Sequence, residues 1–284
     1  MIPRSDILKW SEHAPWSLEH QVEQDLVLTR VLVELFSHPV LREQLAFRGG
    51  TALNKLFFNQ PTRYSEDIDL VQITGEKIGE TFDIIREILS PWLGNPKSKQ
   101  NFGRATQIYR FDSEIEPIVN SKLKIEINTR EHFSVFGLLE KELVLNTKWY
   151  SGKAKIKTYT LEELLGTKLR ALYQRKKVRD IYDLSVALTQ LKPDKEKIVT
   201  SFLEYIKFSG NKITRAEFEE NLYLKLLDPL FINDISPLLK INTQEIGVDM
   251  EFYSKHIYSD LLSLIPGEPW KSKKSNESKK IYDE

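Results

Sequence analysis

The segment that most constrains this chain runs over residues 45–73. Residues 45–47 read as a short strand that leads into Gly49 and Gly50, and residues 51–58 have helical character. Residues 67–73 then alternate acidic and apolar positions around Ile68, Leu70, Val71 and Ile73. A strand, a glycine turn, a helix and a second strand in such close succession require a sheet with a helix packed on it. Because successive side chains on a strand point to opposite faces, Asp67 and Asp69 share one face.

Two neighbouring carboxylates repel unless a cation neutralises them. Mg²⁺ suits such a pair, since it prefers oxygen ligands and keeps positions for water and phosphate. Two glycines ahead of a helix let backbone N–H groups approach a phosphate, and the helix N-terminus adds partial positive charge. Ions held in this way serve in-line phosphoryl or nucleotidyl transfer, usually with a third carboxylate. Glu126 is the candidate, on a strand predicted over 123–128 with Ile125 and Ile127 directed oppositely, and Asp112 and Glu114 are its rivals.

Around this segment, Leu18, Val22, Leu26, Val27, Val31, Val33 and Phe36 recur at nearly helical spacing with charge between them, which predicts an amphipathic helix. A helix is expected over 77–93, a polar connection over 96–103 and strands over 105–111 and 123–128. From residue 161 the pattern is helical over 161–173, 178–191, 195–208, 215–227 and 249–264. The expected fold is α+β. It has a mixed β-sheet with helices over 1–150, a helical bundle over 151–268 that completes the active-site cleft, and a polar, disordered tail over 269–284. The Lys-rich stretch 149–159 is the candidate boundary.

The chain has no cysteine, which excludes disulfides, thiolate zinc sites and a cysteine nucleophile and fits a reducing compartment, with the cytoplasm as the default. His13, His20, His38, His132 and His256 lack ligand spacing, and neither a Gly-x-Ser-x-Gly elbow nor a Walker loop is present. No apolar run is long enough for a membrane span. The formal net charge is zero, so a nucleic-acid partner requires a local basic face. Such a run exists: Lys153, Lys155, Lys157, Lys168, Arg170, Arg175, Lys176, Lys177 and Arg179 stand against Glu162 and Glu163. There a polyanion would gain affinity by counterion release. Tyr150, Tyr159 and Tyr173 interleave with these charges as stacking candidates.

Gly49, Gly50 and Thr51, followed by Arg63, Ser65, Asp67 and Asp69, resemble the first signature of the AbiEii and MenT toxin family. Lys168, Leu169, Ala171, Leu172, Arg175, Arg179, Asp180, Ile181, Tyr182, Asp183 and Leu184 resemble its second. The resemblance implies a minimal nucleotidyltransferase of the DNA polymerase beta-like superfamily. It implies that the glycine turn and a hydroxyl like that of Ser65 hold an NTP triphosphate, that the paired acids hold Mg²⁺, with Mn²⁺ as a substitute, and that Lys168 contacts phosphate. An acid at Asp180 or Asp183 is needed as well, to support the acceptor or Lys168; Thr51 lines the phosphates with Gly50 and Ser65, and Arg63, Arg175 and Arg179 join the nucleotide-binding set. Thr51 departs from the serine common in the wider superfamily but keeps the hydroxyl. Family members resemble toxins of toxin–antitoxin or phage-defence systems, which implies a cognate antitoxin, and some transfer nucleotides to the 3′ end of tRNA, which makes tRNA or another RNA the expected acceptor. The alternatives are a nucleotidyltransferase acting on a protein or small molecule, and a silent RNA- or antitoxin-binding protein of the same fold.

Overall fold

The computed structural model describes residues 2–232, 235, 238–239 and 249–271. The chain falls into two compact units, Met1–Thr160 with Leu238–Asn242 and Leu161–Pro237 with Thr243–Glu284.

The first unit is built on a seven-stranded mixed sheet: β1 (Leu45–Arg48), β2 (Asp67–Gln72), β3 (Lys97–Asn101), β4 (Arg104–Asp112), β5 (Asn120–Asn128), β6 (Leu138–Asn146) and β7 (Ser151–Tyr159). Their order is β3-β4-β5-β2-β1-β7-β6. β2 runs antiparallel to β1 and parallel to β5, and β1 pairs parallel with β7. The alternation anticipated for residues 67–73 and 123–128 is present. Ile68 and Leu70 on β2, and Leu123, Ile125 and Ile127 on β5, are buried, while the residues between them on β5 and the two aspartates are not. Helices α1 (Arg4–Trp10), α2 (Glu19–Ser37), α3 (Pro39–Gln44), α4 (Gly49–Leu56) and α5 (Ile78–Leu93) complete the unit.

The long helix α2 differs from its amphipathic expectation. It packs against β5, β6, β7 and α5 and is buried on nearly all sides, including the charged Glu23 and Asp25. Those charges are compensated rather than solvated. Asp25 accepts from the Trp10 indole at 2.8 Å and pairs with Lys55, and Glu23 accepts from the backbone N–H of Glu114.

Two further expectations are corrected here. The polar connection 96–103 contains strand β3, an exposed edge strand held by β4. The Lys-rich stretch 149–159, expected as the boundary, contains β7, on which Ala154, Ile156 and Thr158 are buried while Lys153 and Lys155 stay exposed. This period-2 pattern ties the stretch to β1 and β6, so the division between the units falls after Thr160 and not at residue 150.

The second unit is helical, with α6 (Leu161–Gln174), α7 (Arg179–Leu191), α8 (Lys195–Phe208), α9 (Arg215–Leu226), α10 (Pro229–Ile232) and a further helix over Met250–Asp260. Asp194 caps α8, and Thr214 and Glu217 form a reciprocal capping box on α9. α6 and α8 cross closely at Gly166, where a Cβ would lie 1.9 Å from Ser201 Oγ and 2.8 Å from the Ile198 carbonyl. The expected disordered tail begins instead with packed residues: the Trp270 N–H donates to Glu219 and its ring lies against Tyr223. The remainder of that tail, residues 272–284, lies outside the described residues.

Candidate active site

β1 ends at Arg48 and α4 begins at Gly49, whose φ of +82° lies in the left-handed region. A Cβ there would also stand 2.5 Å from Asp69 Oδ2, because antiparallel pairing sets Arg48 opposite Asp69. Glycine is therefore required twice over, by the backbone and by the carboxylate beside it. No side chain caps the N-terminus of α4, so its leading N–H groups are not used by a cap.

The loop from α4 to β2 is tied to the helix. Thr51 Oγ donates to the Asp67 carbonyl at 2.6 Å and shares a 2.7 Å hydrogen bond with Ser65 Oγ. Asn54 accepts from the backbone N–H of Thr62 and donates to the Gly50 carbonyl. The Thr51 hydroxyl, expected on the triphosphate, is thus buried and positions β2, while Ser65 is only half-buried. Arg63, also expected on the triphosphate, is buried at 2% exposure and donates to the Tyr64 carbonyl. Leu238 and Leu239 lie against this loop, with the Tyr64 N–H donating to the Leu238 carbonyl.

The parallel register of β2 and β5 sets Asp67 beside Lys124 and Asp69 beside Glu126. All four side chains rise from one face of the sheet. Lys124 Nζ lies 3.3 Å from Asp67 Oδ2 and 3.4 Å from Glu126 Oε2, and Arg104 Nε lies 3.1 Å from Glu126 Oε1. Burial, with the charges of Asp67 and Glu126, pushes the Asp69 carboxyl above its ordinary value against the opposing pull of Arg48. Burial works to lower the Lys124 ammonium, but Asp67 and Glu126 outweigh it, and its pKa is raised. Arg48 is itself held by Glu131 at 2.5 Å. The rival acids stand elsewhere: Asp112 is at the far end of β4, opposite Asn120, and a Glu114 carboxylate oxygen accepts from the Ile2 N–H.

Three carboxylates in one row offer the hard oxygen donors that Mg²⁺ or Mn²⁺ takes. Among the described residues, however, no three acidic or histidine side chains converge as a ready cation cage. Asp67 and Glu126 both turn to the Lys124 ammonium. The donor chemistry fits a divalent ion, and the lysine occupies the place between the donors.

The second signature forms its own cluster within the helical unit. Lys168 Nζ lies 2.7 Å from Asp183 and 3.3 Å from Asp180, and Arg175 grips both oxygens of Asp180 at 2.8 and 2.9 Å. Both aspartates are fully buried and Lys168 nearly so. Burial works to raise Asp180, but Lys168 and Arg175 outweigh it and hold its carboxyl below the ordinary value. Both aspartates converge on one ammonium. Lys176, four residues before Asp180, pairs instead with Asp228. Arg179 opens α7.

The basic run is largely answered by acids. Lys153 pairs with Glu142, Lys155 with Glu140 and Lys157 with Glu43. The three tyrosines serve as packing: Tyr159 is buried, Tyr173 meets Phe218 edge-on, and the Tyr150 ring lies against the Arg30 guanidinium. Sequence reasoning missed Lys124 and Arg104. The signal for Lys124 was the same period of two that selected Glu126.

The sequence profile of the nucleotidyl transferase AbiEii toxin, type IV TA system, matches residues 30–244 of this chain. No curated protein matches it. Among solved structures, MenT4, a nucleotidyltransferase toxin from Mycobacterium tuberculosis H37Rv, superposes with a TM-score of 0.64 at 16% identity, over 91% of this chain and 89% of its own. A crystal structure assigned to a nucleotidyltransferase of H. pylori superposes with a TM-score of 0.51 at 16% identity, over 88% of this chain and 100% of its own. At these identities the structural likeness concerns the fold.

Proposed function

Because this chain belongs to the AbiEii nucleotidyltransferase toxin family, we propose that it transfers a nucleoside monophosphate from an NTP to the 3′ end of tRNA, and that a cognate antitoxin restrains it. The observation that carries this reading is the row of Asp67, Asp69 and Glu126 beside the uncapped N-terminus of α4. The acceptor hydroxyl attacks the α-phosphorus, the bond to the β-phosphate oxygen breaks, and pyrophosphate leaves. N–H groups of Gly49, Gly50 and Thr51 and the Ser65 hydroxyl hold triphosphate oxygens. Asp67, Asp69 and Glu126 hold Mg²⁺, which when bound offsets the charge that develops on the transferred group and on pyrophosphate. Lys168 serves the same reaction through phosphate, with Asp180 and Asp183 fixing its ammonium. Arg63 takes a positioning role, since it is buried and its guanidinium donates to the Tyr64 carbonyl. The place of action is the cytoplasm, where NTP and tRNA meet; among the described residues no helix is long and apolar enough to cross a membrane.

The test is incubation of the protein with Mg²⁺, each α-labelled NTP in turn and total tRNA, beside Asp67→Ala. Label entering tRNA with the wild type, and falling at least roughly a thousandfold in the variant, is the expected result. Label on protein in its place would move the acceptor to another class. Absence of transfer together with absence of NTP binding would leave a silent binder of the same fold.

A further inference from the structure

Resting on the metal-site reading above, we propose that Lys124 is a built-in counter-cation that fills the acid row in the nucleotide-free protein and so makes metal binding depend on the nucleotide. Its ammonium lies almost equidistant from Asp67 Oδ2 and Glu126 Oε2, at 3.3 and 3.4 Å, which is the position of a shared cation and not of a single ion pair. The second oxygen of Glu126 is taken by Arg104. Both Glu126 oxygens are therefore engaged by protein cations, and no further acid or histidine among the described residues converges to make up a cage.

The position of the lysine follows from the backbone. Lys124 and Glu126 are two apart on β5, so they share a face, and the parallel register places Lys124 directly beside Asp67. Its side chain is 26% exposed and those of Asp67 and Glu126 are 30% and 20%, so the charges are only partly screened by water. A divalent ion that binds Asp67 and Glu126 must first displace the ammonium, and it then feels the repulsion of a tethered positive charge. A triphosphate changes that balance. It supplies further oxygen ligands to the ion and gives the displaced ammonium a new anionic partner, so ion and nucleotide bind cooperatively. A lysine that merely stabilised the sheet surface would leave metal affinity unchanged when removed.

The measurement is Mn²⁺ binding to the full chain by paramagnetic resonance, without nucleotide and with a non-hydrolysable NTP, for wild type, Lys124→Met, Lys124→Arg and Asp67→Asn/Lys124→Met. Without nucleotide, Lys124→Met is expected to bind Mn²⁺ at least about tenfold more tightly than wild type, and Lys124→Arg to stay near wild type. The gain in Mn²⁺ affinity brought by the nucleotide should shrink in Lys124→Met by the same factor, and the double variant should lose the tight site. Melting in chelator and in Mn²⁺ gives a second reading, with Lys124→Met expected to gain more from the ion than wild type does. If wild type binds Mn²⁺ with nucleotide but Lys124→Met shows neither tighter binding nor a larger thermal gain, the counter-cation role is overturned while the metal site stands. If no protein binds Mn²⁺ under either condition, the metal reading fails and takes this inference with it.

Discussion

The two charged clusters use the same residue types and end in opposite states. In the sheet unit, Asp67, Asp69 and Glu126 stand partly exposed in a row, with Lys124 between Asp67 and Glu126 and Arg104 on Glu126, and burial together with the neighbouring acids leaves Asp69 with a raised carboxyl pKa. In the helical unit, Asp180 and Asp183 are fully buried and matched by Lys168 and Arg175, which leaves Asp180 with a lowered one. A fully buried set of charges must be balanced by the protein itself, whereas a partly exposed set is also open to partners from solution. The two clusters thus differ in how far the protein itself closes them off from solution.

Breaking the balanced cluster should do the most damage to the fold. Lys168→Met removes the ammonium that two buried carboxylates share, and a loss of about 3–5 kcal/mol in urea unfolding is expected, together with lost transfer. If Lys168→Met is as stable as wild type, the contrast between the clusters is wrong. Gly49→Ala attacks the open cluster through its backbone, by the positive φ and the contact with Asp69. A fall in transfer of about a hundredfold is expected, with a stability loss of about 1–3 kcal/mol.

A pH series in chelator sharpens the comparison because the two shifts have opposite signs. Asp180, lowered in the folded state, contributes stability that is present above the ordinary aspartate value of 3.8 and is lost as pH falls through its folded value. Asp69, raised, does the reverse: its protonated form is favoured by folding, and that contribution is lost as pH rises through the folded value. Asp69→Asn should therefore be more stable than wild type at neutral pH, and the difference should vanish as acid protonates the wild-type carboxyl. A difference that stays constant with pH would show that burial and the neighbouring acids do not raise the Asp69 carboxyl. The smallest effect belongs to the exposed pairs of the β6–β7 hairpin. Lys155→Ala should change stability by less than about 0.5 kcal/mol and leave transfer unaffected; a clear loss of transfer would instead mark the hairpin as part of the acceptor surface.

The Gly49 to Asp69 block was legible because each residue is constrained locally, by a turn that needs glycine or by a strand that alternates. Glu126 was legible as a face but not as a neighbour: only the parallel pairing of β2 with β5, a long-range contact, sets it beside Asp69. The same pairing concealed Lys124, since nothing local says that a lysine will meet an aspartate so distant in the chain. Strand β7 was misread because its outward lysines resemble a solvated linker in composition, although Ala154, Ile156 and Thr158 carry the period of a strand. Arg63 and Thr51 were expected at a ligand from the family resemblance, and nothing local in the sequence says that both side chains are buried. The second signature was read as a set of residues, but its pairing arises from α6 meeting α7 and not from spacing within one helix.

The register of β2 against β5 also acts as an interlock. A slip of one residue would turn Glu126 and Lys124 into the core and bring Ile125 to the face of the aspartates, so the row admits no partial version. A nascent chain that has emerged only through β2 carries Asp67 and Asp69 but not the strand that completes their row. The order of synthesis therefore delays the row: it is assembled only after residues far along the chain have paired.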